Sequence, residues 1–130
     1  MTRLTARTDS LKPTMGTVYA IANQKGGVGK TTTAVNLAAC IAEAGYDALL
    51  VDIDPQCNAT LSLGIGKHLS PTVYDALVGG TPLADVVVAT SIDHLSLAPA
   101  GPDLAGATVE LPRIPGSETR LEEALEPLRE

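Results

Sequence analysis

The sequence predicts an α/β fold in which a parallel sheet is covered by alanine-rich helices, and three observations lead there. Residues 17–22, Thr-Val-Tyr-Ala-Ile-Ala, are short, apolar and partly β-branched, as a buried parallel strand should be. They run into a glycine-rich turn and then into residues 30–44, an alanine-rich run closed by Gly45, which reads as a helix with a glycine stop. The third observation is composition. The 130-residue chain is 45% hydrophobic with three Tyr and no Phe or Trp, so its core must be packed from Ala, Val, Leu and Ile. That length bounds the chain to one domain or less.

The turn between strand and helix carries the chemistry. Phosphate-binding loops follow G-x-x-x-x-G-K-[ST]: the glycines let backbone N–H groups approach phosphates, while the lysine and hydroxyl reach the β/γ-oxygens and Mg²⁺. Here Gly26, Gly27, Val28, Gly29, Lys30, Thr31 and Thr32 supply the pattern, with Gln24 at the first glycine position and a second lysine at Lys25. The start of the following helix, with its free N–H groups and positive dipole end, is expected against the phosphates. A bare glycine-rich turn with two surface lysines is the bland alternative, and the strand and helix on either side argue against it.

A second motif stands at the end of the next predicted strand. Residues 48–52 are apolar up to Asp52, and Asp52-Ile53-Asp54-Pro55-Gln56 then falls at the carboxyl end of that strand, where open α/β sheets bind ligands. Carboxylates beside a polyphosphate require compensating positive charge, which Mg²⁺ held partly by Thr31, together with the lysines, would supply. Two strand-end aspartates making only loop hydrogen bonds are the simpler alternative.

The two motifs together resemble the ParA/MinD group of dimerising ATPases. Lys25 matches the early lysine of their deviant phosphate loop, and Asp52 to Thr60 matches the VDxDPQ-x-NAT segment of ParA/Soj-type partition ATPases, with Cys57 where glycine is common. The resemblance implies a three-layer P-loop NTPase fold that binds ATP or ADP with Mg²⁺. It implies that Lys30 holds the phosphates, that Lys25 crosses to the nucleotide of a partner subunit in an ATP-bound homodimer, and that Asp54 activates the attacking water and reaches the metal through water. Asp52 is implied to support the loop and Lys25, and residues 55–60, including Pro55, Gln56 and Asn58, to form a switch sensing the γ-phosphate. A ParB-like centromere-binding partner, a role in chromosome or plasmid segregation and, for a full-length form, nucleoid association follow from the same likeness, while two unpaired-looking cysteines beside a nucleotide site lead to the expectation of a reducing cytoplasm.

The likeness runs from about residue 17 to the last residue and stops before the Walker B strand and the DNA-binding half. The sheet is accordingly expected to be incomplete: residues 17–130 are read as the N-terminal part of a P-loop ATPase domain, and turnover by this stretch alone is expected to be low. DNA binding is assigned to the later half. Beyond the loop only Lys67, Arg113, Arg120 and Arg129 face every acidic residue except Asp9, so no basic stripe is present. Two other functions compete: a nucleotide-binding module without turnover that acts on a full-length copy, and an iron–sulfur carrier of the same superfamily. Cys40, expected to be a buried small hydrophobe, and Cys57, in the switch, have no C-x-x-C partner and disfavour the carrier.

Residues 1–16, with Arg3, Arg7 and Lys12 against Asp9, read as a flexible polar tail; either an upstream start before Met15 or a basic arm would account for it. Past the switch, residues 61–66 read as a loop, 73–77 as a short helix ending at Gly79-Gly80, and 82–88 as an element opened by Pro82. Residues 94–100 read as a strand, 103–107 as the start of a helix, and 119–128 as a helix with Leu121, Leu125 and Leu128 on one face and a Thr119/Glu122 capping box. His68 and His94 have no metal-ligand spacing. No apolar run reaches the ~18 residues of a membrane span, and no membrane partner is expected.

Overall fold

A computed structural model of the chain describes residues 15–66 and 68–130. The expected tail lies outside the described residues up to residue 14. Gly16 is joined to the far end of the chain: its N–H donates to the Arg129 carbonyl at 2.7 Å, and Arg129 Nε donates back to the Gly16 carbonyl at 3.1 Å.

Helix α1 spans Lys30–Glu43. It ends where the sequence requires: Gly45 takes φ 86°, a left-handed turn that only glycine enters without a steric cost, and its N–H closes on the Ala42 carbonyl. Strand β1 follows at Ala48–Val51. Next come α2 (Asn58–Ser62), α3 (Val73–Leu77), α4 (Leu83–Val86), the two-residue β2 (Val88–Ala89), β3 (Leu95–Ala98), α5 (Leu104–Glu110) and α6 (Arg120–Leu125), with 3-10 turns around α6.

The three strands form one sheet in the order β1-β3-β2. β1 and β3 run parallel with Ala48 opposite Leu95 and Val51 opposite Ala98, whereas β2 is antiparallel to β3. The sheet is therefore mixed rather than purely parallel, because α4 and β2 form a short return onto β3. Strand alternation sorts the side chains onto two faces. Ala48, Leu50, Leu95 and Leu97 pack with Val35, Ala38 and Ala42 of α1; Leu49, Val51 and Ala98 pack with α3, α4, α5, with Leu121 and Leu125 of α6 and with Leu128 of the 3-10 turn after it. Helix, sheet and helices make the three layers expected, with β3 as the buried middle strand.

Four expectations need correction. Residues 17–22 form no strand, and every one of them is exposed. Their apolar run marks a segment able to pair, but a strand exists only as part of a ladder; β3 is already flanked on both sides, and residues 17–22 join neither remaining edge. Cys40 is exposed, not buried. The inward face of α1 is set by Val35, Ala38 and Ala42, and a residue two positions from Ala38 lies about 200° round the helix. The Thr119/Glu122 capping box does not form. A 3-10 turn over Ser117–Thr119 leads straight into α6, so Thr119 is helical rather than extended and its hydroxyl turns to Glu123 at 2.7 Å. A capping box occurs instead at α3, where the backbone N–H of extended Thr72 donates to Asp75 Oδ2 at 2.7 Å. Finally, Leu61 and Ser62, expected to begin a loop, belong instead to α2, which winds one turn out of the segment that follows Asp54.

Candidate nucleotide-binding site

The phosphate loop leads into the N-terminus of α1. Gly27 and Gly29 have φ 73° and 89°, and Gly26, Gly27 and Gly29 all have open space where a Cβ would stand. The loop thus presents backbone on a surface no side chain covers. Gly29 is the N-cap and supplies no side-chain cap, so the first N–H groups of a 14-residue helix remain available to an anion, at the positive end of its dipole. Lys30 Nζ curls back over the loop and donates to the Asn23 carbonyl at 2.9 Å and the Lys25 carbonyl at 3.5 Å, while the Lys25 N–H donates to Asn23 Oδ1 at 2.9 Å. These bonds place the Lys30 ammonium against the loop backbone, close to the donors a phosphate would meet. The Lys25 side chain belongs to the exposed part of the loop, and Thr31 and Thr32 open the first turn of α1.

The second half of the site is built very differently. Asp52, one residue past β1, is buried at 4% exposure, and its carboxylate is fully engaged: Oδ1 accepts the Asp54 N–H at 3.1 Å, and Oδ2 accepts both the Thr60 N–H at 2.9 Å and the Thr60 hydroxyl at 2.7 Å. The Thr60 hydroxyl in turn accepts the Ala100 N–H, from the segment after β3, at 3.0 Å. Between these anchors the chain turns sharply. Asp54 Oδ1 accepts the Gln56 N–H at 3.0 Å, the Cys57 N–H closes on the Asp54 carbonyl at 2.9 Å, and Cys57 takes φ 59° as the N-cap of α2. That left-handed conformation explains why glycine suits this position; Cys57 accepts it with its side chain fully buried in the core and its thiol on the Pro55 carbonyl at 3.3 Å. Asn58 Nδ2 reaches Gln56 Oε1 at 3.4 Å, and Pro55 and Gln56 are exposed at the tip.

The two halves share one end of the fold. A four-residue turn, 44–47, joins α1 to β1, and α1 packs on both β1 and α2. Helix and strand therefore run in opposite directions, which brings the start of α1 to the end of the sheet where Asp52 to Asn58 emerge. This end collects Lys25, Gly26 to Thr32, Asp54, Pro55, Gln56 and Asn58. The hydrogen bonds of Asp52 go to the switch and not to the loop, and Thr60, which the sequence placed in the switch without a role, is the residue that ties it to β3. A hydroxyl between Ala59 and Leu61, eight residues after a strand-end aspartate, was the only local signal, and it does not name Ala100 as its partner.

The described residues fit a nucleoside polyphosphate: a glycine cradle open to solvent, an uncapped helix start, two lysines and a carboxylate pair whose outer member is partly exposed. Among the described residues no helix is long and apolar enough to cross a membrane.

Comparison with known proteins agrees with this geometry. A family model described as "AAA domain" matches residues 16–130. The sporulation initiation inhibitor protein Soj of Bacillus subtilis is 51% identical over 117 residues, covering 89% of this chain and 46% of that protein. The chromosome partitioning protein ParA of Myxococcus xanthus is 49% identical over 116 residues, covering 88% of this chain and 41% of that one. The chain thus spans just under half the length of these relatives. Among solved structures, cobyrinic acid a,c-diamide synthase from Mycobacterium smegmatis with bound ADP and magnesium superposes with a TM-score of 0.78 at 42% identity, over 82% of this chain and 44% of that one. A phosphate loop opening onto an uncapped helix, a strand-end aspartate pair beside it and these likenesses converge: the chain belongs to the AAA-domain family and corresponds to the N-terminal half of its ParA/Soj type.

Proposed function

We propose that this chain binds ATP or ADP with Mg²⁺ and serves as the nucleotide-binding part of a partition ATPase acting in chromosome or plasmid segregation. The observation that carries this is the pairing, at one end of the sheet, of an open glycine cradle at the start of α1 with the aspartate switch at the end of β1. Gly26 to Gly29 and the first N–H groups of α1 would receive the phosphates, Lys30 would neutralise them, and the Thr31 hydroxyl, with Asp54 through water, would hold the metal. Mg²⁺ supplies positive charge that offsets repulsion between the phosphates and Asp54. Asp54 serves turnover rather than affinity, because an anion facing the γ-phosphate opposes ground-state binding and helps only as charge redistributes in the transition state.

Lys25 has a separate task. On this reading it reaches the nucleotide of a second copy, so that ATP closes a homodimer and a ParB-like partner stimulates its reopening; contact with nucleoid DNA belongs to the part of the relatives that this chain does not span. The experiment is a nucleotide titration beside a sizing measurement on wild type, Lys30→Ala and Lys25→Ala. Lys30→Ala should lose nucleotide binding, and Lys25→Ala should keep it while losing ATP-dependent association. Equal loss of binding in both variants would refute the division of labour.

A further inference from the structure

We infer that Thr60 is a positioning residue for Asp54, acting through a buried carboxylate clamp that fastens the switch to the middle strand. The inference rests on the nucleotide reading above for its consequence, but not for its geometry. Asp52 has one oxygen on each end of the switch: Oδ1 on the N–H of Asp54 and Oδ2 on the N–H and hydroxyl of Thr60. Thr60 is completely buried, and its hydroxyl uses its one proton on Asp52 while accepting the N–H of Ala100. One side chain therefore joins three elements: the end of β1, the start of α2 and the segment after β3.

The neighbouring contacts show why this would set Asp54. Ala100 stands between Pro99, whose carbonyl accepts the Val73 N–H at 2.9 Å, and Gly101, whose Cα lies so near Thr72 that a Cβ there would approach the Thr72 methyl to 3.1 Å. The segment after β3 is thus held from its other side by α3 and leaves Thr60 a fixed partner. With both ends of residues 54–60 pinned, the tight turn inside the clamp has one arrangement, in which Asp54 Oδ1 is committed to the Gln56 N–H. The remaining oxygen of Asp54 is then presented from a defined backbone. Removing the Thr60 hydroxyl takes one of the two α2 donors from Oδ2 of Asp52, leaving the Thr60 N–H alone on it, and orphans a buried N–H at Ala100, so the frame that holds Asp54 loosens while the phosphate loop, which shares no hydrogen bond with the clamp, is untouched.

The test is amide hydrogen exchange on the 130-residue chain, with Thr60→Val, Thr60→Ser, Thr60→Cys and, as a control for plain destabilisation, Leu63→Ala, which cuts core packing beside α2 without touching the clamp. Thr60→Val is expected to speed exchange at the Asp54 and Gln56 amides by about ten-fold or more relative to Leu63→Ala, the scale of one hydrogen bond to a charged group. Thr60→Ser should restore wild-type rates. Thr60→Cys, with its weak donor, should behave like Thr60→Val and carries the comparison if the valine variant does not fold. Addition of Mg·ATP adds a second readout: Thr60→Val should bind within about three-fold of wild-type affinity but lose the response of the Asp54 amide to ATP. Equal acceleration in Thr60→Val and Leu63→Ala, or failure of serine to rescue where cysteine does, would overturn the inference by reducing Thr60 to packing. If wild type shows no response to nucleotide at all, the functional reading fails while the exchange result still decides the clamp.

Discussion

The phosphate loop and the aspartate switch lie at the same end of the fold and are held by opposite means. The loop, residues 23–29, is exposed throughout, its hydrogen bonds run within it or to the first turn of α1, and the segment before it pairs with no strand. The switch is organised around a buried carboxylate with three donors, a completely buried hydroxyl and a buried thiol in the core. The stronger sequence motif thus belongs to the half with fewer ties to the core. A phosphate loop is recognisable because its residue types are dictated by the ligand, whereas the switch depends on partners eight and forty residues away in the chain.

The sharpest way to break this comparison is at Lys30. Its ammonium contacts only exposed loop carbonyls, so Lys30→Ala should weaken Mg·ATP binding by about 100-fold or more, ~2.7 kcal/mol, with no measurable change in the urea midpoint. A fall in stability of similar size would show that the loop is part of the core. Asp52→Ala should do the reverse. It leaves the N–H and hydroxyl of Thr60 and the N–H of Asp54 without their acceptor, and equilibrium urea unfolding should show a loss of about 2 kcal/mol.

Val18→Asp sharpens the contrast from the other direction. On an exposed segment outside the sheet it should change stability by no more than about 0.5 kcal/mol; in a buried central strand the same change would cost several kcal/mol, by burial of an unpaired charge. The smallest effect is expected on the far face of the molecule. Tyr74 donates its phenol proton to Glu110 at 2.7 Å, and that bond, with the nearby negative charge, raises the phenol above its ordinary value of 10.0. The bond contributes stability below that ordinary value and loses it as pH rises through the raised one. Spectrophotometric titration should find the raised ionisation in wild type and its return toward the ordinary range in Glu110→Ala.

Local signals and long-range contacts explain which parts the sequence foretold. The end of α1 at Gly45, the start of α4 after Pro82 and the apolar strands β1 and β3 follow from single residues or from short local runs, and all appear. Residues 17–22 failed as a strand because pairing is a property of two segments, and an apolar run describes only one. Cys40 was misplaced because apolar character was read without the helix face that Val35, Ala38 and Ala42 define. Of the site, the residue types of the loop and of Asp52 to Asn58 were readable in advance. The part played by Thr60 was not, since it is created by Ala100, brought next to it only when β3 lies beside β1.

The central claim is that the loop and the switch serve one nucleotide, with the switch reading its γ-phosphate. It is tested most directly by mapping amide chemical shifts as Mg·ADP and then Mg·ATP are added to the 130-residue chain. Both nucleotides should move the amides of Gly26 to Thr32, and only ATP should move those of Asp54 to Asn58. Identical shifts at Asp54 to Asn58 with ADP and ATP, or no shifts in the loop with either, would contradict it.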